Sequence, residues 1–185
     1  KKSRFNYRLM VNEVVPYGDQ YIMLGEAFYP HYSYTNTQAS SIGVPQFYSN
    51  PLMRGDRIFD GYQYTHSIVI GFDANGKLKW DNSFEINDVR TFELQQIVKI
   101  SPADNRIVLL YLHNNLIRSK IIKDDQVLEG KTADPVKSKF ETDVVKEKDT
   151  ESSKLDYWYT QHFFASGVQK VRNQLTGNES GYRKV

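Results

Sequence analysis

Phe72-Asp73-Ala74-Asn75-Gly76-Lys77-Leu78-Lys79-Trp80 sets the reading of the whole chain. Asn-Gly between two β-rich runs is a strong hairpin signal, because both residues accept positive φ and so fit a turn whose twist matches the flanking strands. Tyr64 to Phe72 is rich in β-branched and aromatic residues, and Lys77 to Trp80 alternates polar with apolar. A hairpin from Ser67 to Phe84 follows.

Moving outward, the same pattern recurs. Arg8 to Val15 and Tyr21 to Tyr29 read as strands around the turn Pro16-Tyr17-Gly18-Asp19. On the other side, strands are expected over Leu94–Ile100, Arg106–His113, Leu116–Lys123 and Gln126–Glu129. The turns are Ser101–Asn105, Asn114-Asn115 and Asp124-Asp125. Ile107-Val108-Leu109-Leu110 is continuously apolar, which predicts burial on both faces. Leu155 to Ala165 is dense in aromatics. Ser166-Gly167 is read as its turn, Val168–Gln174 as the return and Tyr182 as the start of a further strand.

These units are four-stranded antiparallel meanders. Without the long segment between the second and third strands they repeat at a spacing on the order of 50 residues, in the range of propeller blades. One such sheet cannot bury both faces, so neighbours must stack on it. The expected fold is therefore all-β, with repeated meanders forming part of a β-propeller or propeller-like stack. The expected organisation is two blade-like meanders over 1–130 with a long inserted loop at 31–63, a charged loop or linker at 131–154, and a truncated third blade at 155–185. The charged stretch carries six Lys and six acidic residues and is locally neutral. A start at Lys1 without Met and a stop at Val185 in a strand-like run lead to the expectation of a piece of a longer protein.

Composition narrows the function. The 185 residues contain no cysteine, which excludes disulfides, thiolate metal sites and a cysteine nucleophile. A net charge of +2 argues against nucleic-acid binding through bulk charge. No apolar run approaches the ~18 residues of a membrane-spanning helix. The four histidines, His31, His66, His113 and His162, show no metal-ligand spacing, and no nucleophile elbow or phosphate-binding glycine loop is present. No catalytic residue, cofactor or metal is assigned, and a non-enzymatic role is expected.

The hairpin Phe72–Trp80 resembles the outer hairpin of blades in propeller proteins of the bacterial cell envelope, where Phe-Asp-x-x-Gly-x-x-x-Trp recurs near blade ends, as in quinoprotein-like and outer-membrane assembly propellers. The aromatic- and Asn-rich composition resembles large secreted or surface proteins of the Bacteroidetes type. The resemblance implies an extracytoplasmic scaffold, periplasmic or at the cell surface. Quinoprotein chemistry needs vicinal cysteines and a calcium site that this chain lacks, so no cofactor is carried over.

Candidate residues concentrate in the long segment. Tyr32, Tyr34, Phe47, Tyr48, Arg54, Phe59 and Tyr62 form an aromatic and polar set. Such a set can pack on itself, anchor a protein partner or the remainder of the parent chain, or stack on sugar rings. Glycoside hydrolysis would require paired carboxylates, for which Glu26, Asp56, Asp60 and Asp73 are the candidates. Glu26 lies in an apolar strand, where burial would raise its pKa or demand a partner such as Arg54; an outward-facing residue or structural pair is the alternative. Arg54-Gly55-Asp56 matches an integrin tripeptide that chance supplies often, and Asp73-Ala74-Asn75-Gly76 lacks the later ligands of a calcium loop.

Overall fold

The computed structural model describes residues 6–34, 57–103, 105–137, 143–159, 162–173 and 179–184. They form three antiparallel sheets, and no helix occurs among them. The first sheet holds β1 (Arg8–Tyr17), β2 (Gln20–Tyr34), β3 (Arg57–Phe72) and β4 (Leu78–Glu85) in sequential order, with the two-residue β5 (Arg90–Thr91) on β3. The second holds β6 (Lys99–Ala103), β7 (Arg106–His113), β8 (Leu116–Lys123) and β9 (Gln126–Pro135), again in sequential order. The third holds β10 (Asp143–Tyr159), β11 (His162–Asn173) and β12 (Glu179–Lys184). The all-β antiparallel expectation is met. Among the described residues the sheets form no closed barrel or propeller.

Strand register sorts the side chains of the first sheet into two faces. Glu26 sits opposite Met10 and Ser67, Ile22 opposite Val15 and Gly71, and Leu24 opposite Val69. This inner face packs on the second sheet. Ile22, Leu24, Phe28, Tyr64, Val69, Trp80 and Phe84 share one core with Val98, Ile107, Leu109, Tyr111 and Ile122. The Phe84 and Tyr111 rings meet with centroids 5.4 Å apart across the junction. The reverse side of the second sheet carries the third: β10 packs on β6 and β7, Leu110 and Leu155 are buried, and Lys99 pairs with Asp156 at 3.5 Å.

The Asn75-Gly76 turn closes as expected. Gly76 has φ +78, Asp73 O accepts the Gly76 N–H at 2.9 Å, and Asp73 Oδ1 accepts the N–H groups of Asn75 and Lys77, each at 2.9 Å. Asn114, Asn115 and Asp124 also take positive φ in the turns that bound β8.

Several boundaries differ from the sequence reading. The strands enter the segment expected as a loop at 31–63: β2 runs to Tyr34 and β3 starts at Arg57, since cross-strand aromatic pairs extend the ladder there. Much of the 131–154 stretch, expected as a linker, is strand, in β9 and β10. β9 is exposed along nearly all its length, so backbone pairing with β8, not burial, holds it, and its charges face solvent. Leu94 to Ile97 is not strand, and β6 instead runs through Ser101 to Ala103. Ser166-Gly167 is not a turn. Both lie inside β11, and the chain reverses between Tyr159 and His162. A Cβ on Gly167 would come 2.8 Å from Ser153 Oγ, so this glycine serves a close approach of neighbouring strands.

Candidate functional site

The outer end of the β2–β3 ribbon gathers the aromatic residues that the sequence singled out. Tyr32 lies opposite Phe59 in the ladder, with ring centroids 5.7 Å apart and edge-to-face. Phe59 meets Tyr62 at 5.0 Å, and Tyr62 meets the core residue Phe28 at 5.5 Å. The row therefore runs from the core outward. Arg57 caps it, its guanidinium carbon 3.7 Å from the Tyr32 ring centroid, a cation–π contact. Tyr34, opposite Arg57, is largely exposed. The structure thus brings Tyr32, Phe59 and Tyr62 together as a self-packed row. Phe47, Tyr48, Arg54 and Asp56 lie outside the described residues.

Among the described residues, the candidate carboxylates Glu26, Asp60 and Asp73 do not form a hydrolytic pair. Glu26 is 0% exposed and faces the core. Its Oε1 accepts the Val98 N–H at 2.6 Å and the Ile97 N–H at 3.0 Å, and Asn12 Nδ2 donates to Oε2 at 3.2 Å. Burial pushes its carboxyl above the ordinary value, while the donors from Val98, Asn12 and Ile97, and the Lys99 charge, pull it back. This is a structural clasp between the first sheet and the entry to the second. Ser67, opposite Glu26, stands seven positions along β3 from Asp60, about 23 Å of strand at ~3.3 Å per residue, well beyond glycosidase carboxylate separations of at most about 10 Å. Asp73 is occupied in its turn.

Asp60 belongs to a different group. Its Oδ2 accepts from His31 Nδ1 at 3.1 Å and pairs with the Arg90 guanidinium, while Arg90 Nε donates to Gln63 Oε1 at 3.4 Å. The segment that carries Arg90 is pinned from below. Buried Tyr64 donates to Gln95 O at 2.8 Å and accepts from Gln95 N at 3.0 Å, and Gln63 Nε2 donates to Val89 O at 3.0 Å. From the second sheet, the buried Tyr111 hydroxyl accepts from Asn87 N at 3.0 Å. Gly61, at φ +94, allows β5 to lie against β3: a Cβ there would fall 2.8 Å from Thr91 O.

This pinned segment walls an open cleft of about 380 Å³ lined by Asp60, Asp88, Arg90, Thr91, Phe92, His113 and Asn114. Asp60, Arg90 and Thr91 come from the first sheet, while His113 and Asn114 come from the end of β7 and its turn in the second. Sequence reasoning weighed Asp60 among four candidate carboxylates and His113 among the four histidines, and passed over Asp88, Arg90 and Phe92, because no sequence spacing joins them. Among the described residues, no group of three or more His, Asp or Glu side chains is placed to hold a metal ion.

The remaining feature is the outer face of the first sheet. Register places Leu9 beside Ala27 and His66, Val11 beside Gly25 and Ile68, Val14 beside Met23 and Ile70, and Tyr21 beside Phe72. Across β1–β3 these rows are apolar apart from His66, β4 continues them with Glu85, Ser83, Asp81 and Leu78, and Leu9, Val11, Val14 and Tyr21 are each about half exposed.

Compared with known proteins, the chain matches no family model, no curated protein and no solved structure. No helix among the described residues is long and apolar enough to cross a membrane.

Proposed function

We propose that the chain is a non-catalytic interaction or scaffold module of a larger extracytoplasmic, β-propeller-like protein. The observation that carries this reading is the half-exposed apolar surface that β1, β2 and β3 present on the outer face of the first sheet. The inner face of that sheet is covered by the second sheet, and the reverse of the second by the third. A further antiparallel sheet, from the rest of a parent chain or from a protein partner, is the cover that continues the series. Sheets pack face to face at about 10 Å, and the rows Leu9–Ala27, Val11–Gly25–Ile68 and Val14–Met23–Ile70 present the ridges such packing uses. Fully covering a half-exposed leucine or valine contributes roughly 1 kcal/mol, so the rows together support a stable interface. The aromatic row Phe28–Tyr62–Phe59–Tyr32, with Tyr34 beyond it, adds a second contact at the ribbon end. Extracytoplasmic placement rests on the likeness of the Phe72–Trp80 hairpin to envelope propellers.

Native mass spectrometry of the protein from its source, with Val11→Lys alongside, tests the reading. Val11 is 53% exposed, so the lysine is tolerated by the sheet itself. A polypeptide or longer chain segment bound at fixed stoichiometry, and lost in V11K, is the expected result. A lone, monomeric chain of this length, or an assembly that V11K leaves intact, would overturn it.

A further inference from the structure

We propose that the cleft between the β3–β5 edge and the β7–β8 turn binds a neutral sugar ring. This inference is independent of the sheet-face interface, because the cleft is walled by other residues.

The first argument is the donor and acceptor set. The cleft presents the carboxylates of Asp60 and Asp88, the guanidinium of Arg90, the hydroxyl of Thr91, the imidazole of His113 and the amide of Asn114. Sugar hydroxyls donate and accept at once, so adjacent hydroxyls can bridge a planar carboxylate, guanidinium or amide. An anion would meet two carboxylates, and a cation would meet Arg90. A neutral polyhydroxylated ligand suits both signs. Burial lowers the His113 pKa against the pull of Asp88, whose backbone carbonyl takes one ring nitrogen, so the imidazole offers its other nitrogen to a ligand.

The second argument is Phe92. It is 66% exposed and lines the cleft. An aromatic face at the rim of a polar cleft gives the C–H face of a pyranose ring an apolar surface to lie on.

The third is preorganisation. Asp60 and Arg90 fix each other, His31 holds Asp60 from behind, and Tyr64, Gln63 and Tyr111 pin the backbone on which Arg90 to Phe92 stand. A ligand entering this cleft does not have to order it first. Asp60 is committed to Arg90 and His31, so the proposal is one of binding and not of hydrolysis.

The test is a titration of the full chain with the methyl glycosides of glucose, galactose, mannose and N-acetylglucosamine, followed by amide NMR shifts. The expected result is saturable shifts at Arg90, Thr91, Phe92 and Asn114 with at least one glycoside, with Kd in about the millimolar range typical of a single ring on an open cleft. Phe92→Ala should weaken that binding by about fivefold or more through loss of the stacking face, and Asp88→Asn should weaken it similarly, both with melting temperatures unchanged. No saturable shift with any of the four glycosides, shifts that neither variant alters, or inorganic phosphate saturating the same amides in their place would each overturn the proposal.

Discussion

Glu26 Oε1 accepts the Val98 N–H at 2.6 Å, and this contact joins the middle of β2 to the entry of the second sheet, 72 positions later. The carboxylate satisfies backbone donors of Ile97 and Val98 that no strand partner takes up. A buried donor left unpaired costs about 1–3 kcal/mol. Glu26→Ala is expected to lower stability by about 3 kcal/mol and Glu26→Gln by roughly half as much, since Gln keeps one acceptor but turns an NH2 group towards the amides. Urea unfolding measures both; equal losses would mean that the bonds to Ile97 and Val98 are not what holds the segment.

Gly71 lies against Trp80. A Cβ at Gly71 would fall 2.3 Å from the buried indole, whose Nε1 donates to Gln20 Oε1 at 2.7 Å. Gly71→Ala must therefore displace the ring and break that bond, at a cost of about 2–3 kcal/mol. In a Trp158→Phe background the Trp80 emission is expected to move to the red. An unshifted spectrum would show that the strand gives way instead of the ring.

Stability should also fall on acidification through His113. Burial holds its imidazole pKa below the ordinary value of 6.5. The folded chain then binds fewer protons than the unfolded chain between the folded value and 6.5. The contribution is complete above 6.5 and is lost as pH falls through that window, with a slope of at most about 1.4 kcal/mol per pH unit. Melting temperatures compared at pH 7.5 and 5.5 should converge between His113→Asn and the parent as pH drops. A constant offset would place the acid sensitivity elsewhere.

Gly76 occupies φ +78 with open space around its Cα, so backbone strain alone decides the cost of a side chain there. Gly76→Ala is expected to destabilise by about 1 kcal/mol, and Gly76→Asn by less, because Asn tolerates the left-handed region. Thermal unfolding of the two variants checks the order.

The contrast between Gly76 and Gly167 marks how far the fold was legible in the sequence. Asn75-Gly76, Asn114-Asn115 and Asp124-Asp125 act through their own backbone, and each is a turn in the structure. Gly167 acts through a neighbour, Ser153, on another strand, and from the sequence it reads as a turn. The continuation of β9 beyond Glu129 was hidden because ladder hydrogen bonds leave no hydrophobic pattern. The aromatic row was legible in composition, and its pairing of Tyr32 with Phe59 was not. Glu26 was legible as an unusual carboxylate, but its partners are backbone amides, which any residue type supplies. The cleft was invisible because Asp60 and Arg90 meet only through the pairing of β3 with β5, and His113 joins them only when the two sheets are laid together.

The second sheet is shared, with the first sheet on one face and β10 on the other. A pull applied at the two ends of the chain therefore meets resistance in series. The third sheet touches the second chiefly through β10 on β6 and β7, so it is expected to separate first while the Phe84–Tyr111 junction stays closed. Once the second sheet shears, both remaining faces lose their cover together. A pulling experiment is therefore expected to show two force peaks, a lower one as the C-terminal sheet separates and a higher one as the Glu26 clasp opens.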